Sequence, residues 1–245
     1  MDHREVTTKS ANANNLITNG RISAFRIKQS NTNLSQLAST QAPITVNSSK
    51  YRINGVDFDE NTLKLELLDN TAMLSDNTIN AYLECLSNKD AFMISSIHTS
   101  TVIFEGKCAS KKHWSSFKVA CGPVFHDDPN PNLRHWSLLF INMTHREFVH
   151  LDSMSSSPTR QMKYQDRILK FFSTRAEYKD FKFTRVALSH PVQRDSVSCG
   201  VFVCMFAKIL LSSYDYVVAN GELDFKIDGF RQEMYTKILT HAKKI

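Results

Sequence analysis

The sequence predicts an α+β domain, and three observations carry that prediction. Apolar runs of strand length lie between Phe117 and Leu188, bounded by turn-forming residues. Val197 to Leu211 (VSCGVFVCMFAKILL) is apolar nearly all round, as a central buried helix requires. Phe230 to Lys244 repeats Phe230, Met234, Ile238 and Leu239 at helical spacing.

Residues 1–50 differ in texture from the rest. SANANN, KQSNTNLSQ and TVNSSK are rich in Asn, Ser, Thr and Gln, with few large apolar side chains. Such a stretch buries too little surface to offset its ordering entropy, so it reads as a disordered polar tail, either an address for transport machinery or a spacer. Residues 51–245 form the globular part. Ser75 or Asp76 can cap a helix in which Ile79, Tyr82, Leu83 and Leu86 recur. Phe117–Ala120 leads toward Val124–Phe125 as a strand interrupted at Gly122-Pro123, and Asp127–Asn132 (DDPNPN) is a loop.

Trp136–Ile141 (WSLLFI) and Glu147–Leu151 (EFVHL) read as two strands joined by a turn over Asn142–Arg146. Gln161–Phe172 suits a helix with a stripe of Met162, Ile168, Leu169 and Phe172, and Phe181–Leu188 suits another strand. Val197–Leu211 reads as a helix, although two short buried strands would show the same apolarity. The lysines closing the last helix suit its dipole.

Composition narrows the class of molecule. The chain has 245 residues, 42% hydrophobic and 22% charged, ordinary for a protein with a buried core. A net charge of +6 and a pI near 9.0 would attract an acidic partner surface. The Lys and Arg are scattered, however, and no basic block with interleaved aromatics marks a nucleic-acid binder. Cys85, Cys108, Cys121, Cys199 and Cys204 are odd in number and form no CxxC pair, which points to a reducing compartment with free thiols. The N-terminus lacks the apolar core of a secretory signal, and no apolar run approaches the ~20 residues that span a bilayer. A soluble protein without a membrane partner is the expectation.

The chemistry centres on Cys199, which opens the apolar segment as Ser-Cys-Gly. At a helix N-terminus, unpaired amides and the dipole favour an anion and therefore a thiolate. Gly200 removes a side chain that would crowd the approaching substrate. A cysteine in an apolar segment is otherwise inert core, a description that fits Cys204. A thiol nucleophile needs a base, and the base needs a third group to fix its ring. His135 precedes one strand and Asp152 ends its returning partner, so a hairpin with strands ~5 Å apart brings the two together. Gln193, six residues before the cysteine, can join the Cys199 amide as an oxyanion hole.

Four blocks in order resemble the Ulp/sentrin-type proteases that process and remove ubiquitin-like modifiers, a branch of the clan CE cysteine peptidases. They are Met73-Leu74-Ser75-Asp76, His135-Trp136-Ser137-Leu138-Leu139, Val149-His150-Leu151-Asp152-Ser153, and Gln193 through Cys199-Gly200-Val201-Phe202-Val203-Cys204. The wording of the His-Trp block is closest to the Nedd-specific branch and related bacterial effectors. The resemblance implies a papain-like (adenain-like) α+β fold, with a central mixed sheet flanked by helices and a buried helix carrying the nucleophile. It implies a narrow tunnel for a Gly-Gly tail, Trp136 in its wall and Asp76 contacting the tail. The partner implied is ubiquitin or a ubiquitin-like protein (ubiquitin, SUMO or Nedd type) with its conjugates. No cofactor or metal is expected, and the implied enzyme is a monomer of the cytoplasm or nucleus or, if bacterial, one secreted into a host cell.

The chain departs from the family pattern at Ser198, where Asp is usual, and at Met73, where Trp is usual; the tail has no counterpart in the catalytic core. Other readings are an acyltransferase on the same fold, disfavoured by Asp152 in place of Glu, and a non-catalytic modifier binder, disfavoured by the intact Cys, His, Asp and Gln. His113-Trp114 is a rival base without an acid in register. Cys108, His113, Cys121 and His126 match no usual zinc spacing. His190 and Asp195 suit local loop roles.

Overall fold

A computed structural model describes residues 49–108, 113–127, 130, 134–154 and 158–245. The reading of the first 48 residues as a polar tail, and of the loop around Asp128, falls outside them.

A hairpin opens the described chain. β1 (Lys50–Ile53) and β2 (Val56–Asp59) pair antiparallel around Asn54-Gly55, both at positive φ (45° and 93°), as a tight two-residue turn demands. Asp59 then caps α1 (Glu60–Leu68), accepting from the amides of Asn61 and Thr62. Of the two candidate caps for α2 (Asp76–Glu84), Ser75 takes the position and accepts from the Thr78 amide. Ile79, Tyr82 and Leu83 are buried, as their spacing predicts.

The main sheet combines β3 (Ala91–Met93), β4 (Val119–His126), β5 (His135–Asn142), β6 (Glu147–Leu151) and β7 (Thr184–Arg185) in that order. Its outer pairs are parallel and its inner pairs antiparallel, so it is mixed. β5 is buried along its whole length because both faces are covered. Trp136, Leu138 and Phe140 join a core with α2, α5 (Cys199–Asn220) and α6 (Phe230–His241). Leu139 and Ile141 join a second core with α3 (Ser96–Glu105) and α4 (Pro158–Thr174). β8 (Lys243–Lys244) pairs with β1 to complete a small second sheet.

Four expectations need correction. β4 is continuous through Gly122-Pro123, because Pro123 lies beyond the end of β3, where α3 covers the strand edge and Thr99 donates to the Pro123 carbonyl. A Cβ at Gly122 would stand 2.1 Å from the Ile94 carbonyl oxygen, which is why glycine occupies that crossing. Met162 is 63% exposed; Tyr164, Ile168, Phe171 and Phe172 form the buried face of α4 instead. The strand expected over Phe181–Leu188 shrinks to β7, since only Thr184 and Arg185 pair with β6, while Phe183 stacks on Phe172 at 3.7 Å. The last helix ends at His241, and its terminal lysines enter β8.

Candidate active site

Cys199 is the first residue of α5 and only 1% exposed, so a helix rather than two strands carries the thiol. The turn before it is tied by Asp195, whose Oδ1 accepts from the amides of Val197 (2.8 Å) and Ser198 (2.7 Å). Its Oδ2 accepts from the Ser198 hydroxyl at 2.8 Å. These bonds hold Asp195 below the usual carboxylate range although burial acts upward. At Ser198, then, the acidic group is supplied from three residues upstream. The adjacent Gly200 is required by packing: a Cβ there would meet Leu74 Cβ at 2.9 Å and Ile79 Cδ1 at 3.0 Å.

His135 begins β5 and Asp152 follows the last residue of β6, so the register Leu138–Leu151 brings them together at one end of the sheet. His135 Nε2 donates to Asp152 Oδ1 at 2.5 Å, and both side chains are buried. Asp152 Oδ1 also accepts from the Met154 amide at 3.0 Å. Burial pushes the histidine pKa down, but interactions with Asp152 and then with Cys199 outweigh it and raise the value to about 9. Asp152 is held low in turn: burial acts upward, and the bond from His135 overrides it. Nδ1, the other ring nitrogen, is buried and makes no ordinary hydrogen bond among the described residues. At neutral pH the ring is therefore an imidazolium, able to give its proton to a leaving group and to take one back afterwards.

Gln193 lies on the segment leading to Asp195. Its backbone amide donates to the Ser153 carbonyl at 3.0 Å, and its Oε1 accepts from the Ser153 hydroxyl at 2.6 Å. One hydrogen of Nε2 goes to the Asp195 carbonyl at 2.8 Å, and the second remains for another acceptor. Trp136 is buried, stacks at a tilt on Phe125 and donates from its indole to the Leu74 carbonyl at 3.1 Å. Core packing and a place beside the Met73–Asp76 segment thus hold together. Asp76 is exposed at the head of α2, and Met73 is 36% exposed.

The rivals are placed elsewhere. His113 is exposed, and Trp114 is core packed on Phe171. Cys121 contacts Met93 in the first core while Cys108 packs against the second; among the described residues no three His, Cys, Asp or Glu side chains are placed to hold a metal ion. Cys204 is fully buried, and burial raises its pKa.

Sequence reasoning missed a polar cluster behind His135. His126 Nε2 and His150 Nε2 both meet the Ser137 hydroxyl, at 2.7 and 2.9 Å, and His126 Nδ1 meets the Tyr164 hydroxyl at 3.2 Å. Burial pushes His126 to about 3 and His150 to about 4, so both rings are neutral at physiological pH. Two-residue steps, His135 to Ser137 and His150 to Asp152, were the available signal, since they place each pair on one face.

Comparison with known proteins follows the same lines. The model of the Ulp1 protease family, C-terminal catalytic domain, matches residues 123–244. The C-terminal Ulp1 protease domain solved in complex with Smt3, the yeast ortholog of SUMO, superimposes with a TM-score of 0.61 at 19% identity, over 81% of this chain and 90% of that one. The Ulp1-like SUMO protease catalytic domain of Chaetomium thermophilum gives 0.56 at 18%, over 81% and 82%. A de-sumoylating protease gives 0.55 at 12%, over 81% and 93%. At these identities the likeness speaks to the fold, which is that of the family's catalytic domain. No curated protein matches the sequence.

Proposed function

The chain belongs to the Ulp1 protease family of cysteine peptidases, and from that premise we propose that it cleaves after the C-terminal Gly-Gly of a ubiquitin-like modifier of ubiquitin, SUMO or Nedd type. The observation that carries this reading is the buried His135–Asp152 pair at 2.5 Å, coupled to Cys199 at the head of α5. The Cys199 thiolate attacks the carbonyl carbon of the second glycine. As the C–N bond breaks, His135 gives its proton to the departing lysine amine or peptide. Water then hydrolyses the thioester, with His135 accepting the proton and the thiolate leaving. Asp152 keeps the ring in register and stabilises its charge. Gln193 Nε2 and the Cys199 amide stabilise the oxyanion.

Trp136 and Asp76 receive the tail, and a narrow channel excludes side chains larger than glycine. The reaction needs no cofactor, and the modifier with its conjugates is the partner. The test is a panel of ubiquitin, SUMO and Nedd-type probes, each with an electrophile at its C-terminus. Covalent capture at Cys199, lost in Cys199→Ala, identifies the modifier. Capture by none of the three would overturn the proposal. Transfer of a labelled acetyl group from acetyl-coenzyme A would replace it with acyl transfer.

A further inference from the structure

Arg231, on the first turn of α6, is buried to 6% exposure, an unusual situation for a guanidinium. Its Nη1 donates to the Glu66 carbonyl at 2.5 Å and its Nη2 to the Ala72 carbonyl at 2.8 Å. Between those carbonyls the chain leaves α1 and runs toward α2. Glu66 reaches forward along the same path, its carboxylate accepting from the Ser75 amide (2.9 Å) and hydroxyl (3.0 Å). The Trp136 indole holds Leu74 from the other side. Residues Asp69 to Ser75 are thereby pinned from α1, α6 and β5. Burial lowers the Arg231 pKa, and Asp195, Asp69 and, more weakly, Cys199 and Glu66 oppose that shift.

Capping the end of α1 is a blander role, and it accounts for the Glu66 carbonyl. It does not account for Ala72, which lies outside the helix, nor for a buried charge where water could satisfy the carbonyls. A planar fork with parallel donors is suited to clamping two separated acceptors at once. The clamped segment also touches the site: Leu74 packs directly over Gly200, next to the nucleophile.

We propose that Arg231 is a positioning residue that fixes the height of the Asp69–Ser75 segment over Cys199 and so sets the width of the channel receiving the substrate tail. The inference rests on the proposed cleavage of a Gly-Gly tail. Arg231 hydrogen-bonds to none of Cys199, His135, Asp152 or Gln193 and reaches the thiol only through space, as a charge effect smaller than those of Asp195 and Asp69, so releasing the clamp acts first on tail binding.

The test compares wild type, Arg231→Lys and Arg231→Gln in three readouts: cleavage of a fusion of whichever modifier the probe panel captures, alkylation of Cys199 by iodoacetamide, and amide exchange over residues 69–75. Arg231→Gln is expected to raise KM about tenfold, keep kcat within about twofold and leave alkylation no slower. Exchange over the segment accelerates by about tenfold, with Arg231→Lys in between because an ammonium cannot span both carbonyls. An unchanged KM, or a joint fall of kcat and alkylation, overturns the proposal. Should wild type cleave none of the modifiers, the cleavage reading fails, and exchange alone decides the clamp: an unaltered rate overturns it. If Arg231→Gln does not fold, Glu66→Ala releases only Ser75 and should show the same signature at smaller size; a flat KM there is equally fatal.

Discussion

Ser153 and Gln193 are joined twice, the serine hydroxyl donating to the Gln193 Oε1 at 2.6 Å and the Gln193 amide to the Ser153 carbonyl at 3.0 Å. Ser153 directly follows Asp152, so two adjacent residues would orient the two halves of the chemistry, one the base and the other the oxyanion donor. Ser153→Ala removes one of the two hydrogen bonds that hold the Gln193 side chain, leaving that to the Asp195 carbonyl, without touching His135. We expect kcat to fall about tenfold, short of the ~10²–10³ lost on removing the donor itself in Gln193→Ala. Cys199 alkylation should be unchanged in both. A fall in alkylation would mean that Ser153 acts through the base instead.

The raised pKa of His135 sets an alkaline limit. The imidazolium that donates the proton to the leaving amine is lost as pH rises through about 9. Cleavage should therefore decline on that limb, and Asp152→Asn, which removes a bond and a charge that raise the pKa, should move the limb to lower pH and reduce kcat at neutrality by at least ~10². The same linkage touches stability. A histidine whose folded pKa exceeds its unfolded value near 6.5 contributes stability fully present below that value and lost through about pH 9. The melting temperature of wild type should drop across that window more than that of His135→Gln.

Asp195 braces the turn that delivers the nucleophile. Replacing it with alanine removes three hydrogen bonds from Val197 and Ser198. A loss of about 1–2 kcal/mol in urea unfolding is expected, by analogy with removal of a helix cap. The double variant Asp195→Ala, Ser198→Asp brings the acidic group back to the position the family usually gives it. Recovery of at least half the lost stability would show that the two arrangements are interchangeable.

Gly200→Ala tests packing over the thiol. The added methyl meets Leu74 Cβ at 2.9 Å, closer than real Cβ atoms sit, and Ile79 Cδ1 at a tight 3.0 Å. Overpacking of this kind costs about 1–3 kcal/mol. Because Leu74 belongs to the segment clamped by Arg231, the variant should also raise KM. A stable variant with unaltered kinetics would contradict the tight contact.

The parts of this protein written in local chemistry were legible beforehand. Ser75 before an amphipathic stretch announced α2, and the apolar run after Cys199 announced α5, because capping and periodicity depend on neighbours in the chain. The pairing of His135 with Asp152 was legible for the same reason: one hairpin contains both. Arg231 was not, since its acceptors lie 165 and 159 residues away and nothing near it signals them. Met162 misled because an apolar residue on a helix shows its spacing but not which side the sheet will cover. β7 shrank to two residues because Phe183 is held by an aromatic stack on α4 rather than by strand pairing.

The 1% exposure of Cys199 has a consequence for how this thiol survives. A sulfur so enclosed is screened from the disulfides and bulky electrophiles that consume open cysteines. Slim reagents should titrate Cys199 ahead of broad ones of equal intrinsic reactivity.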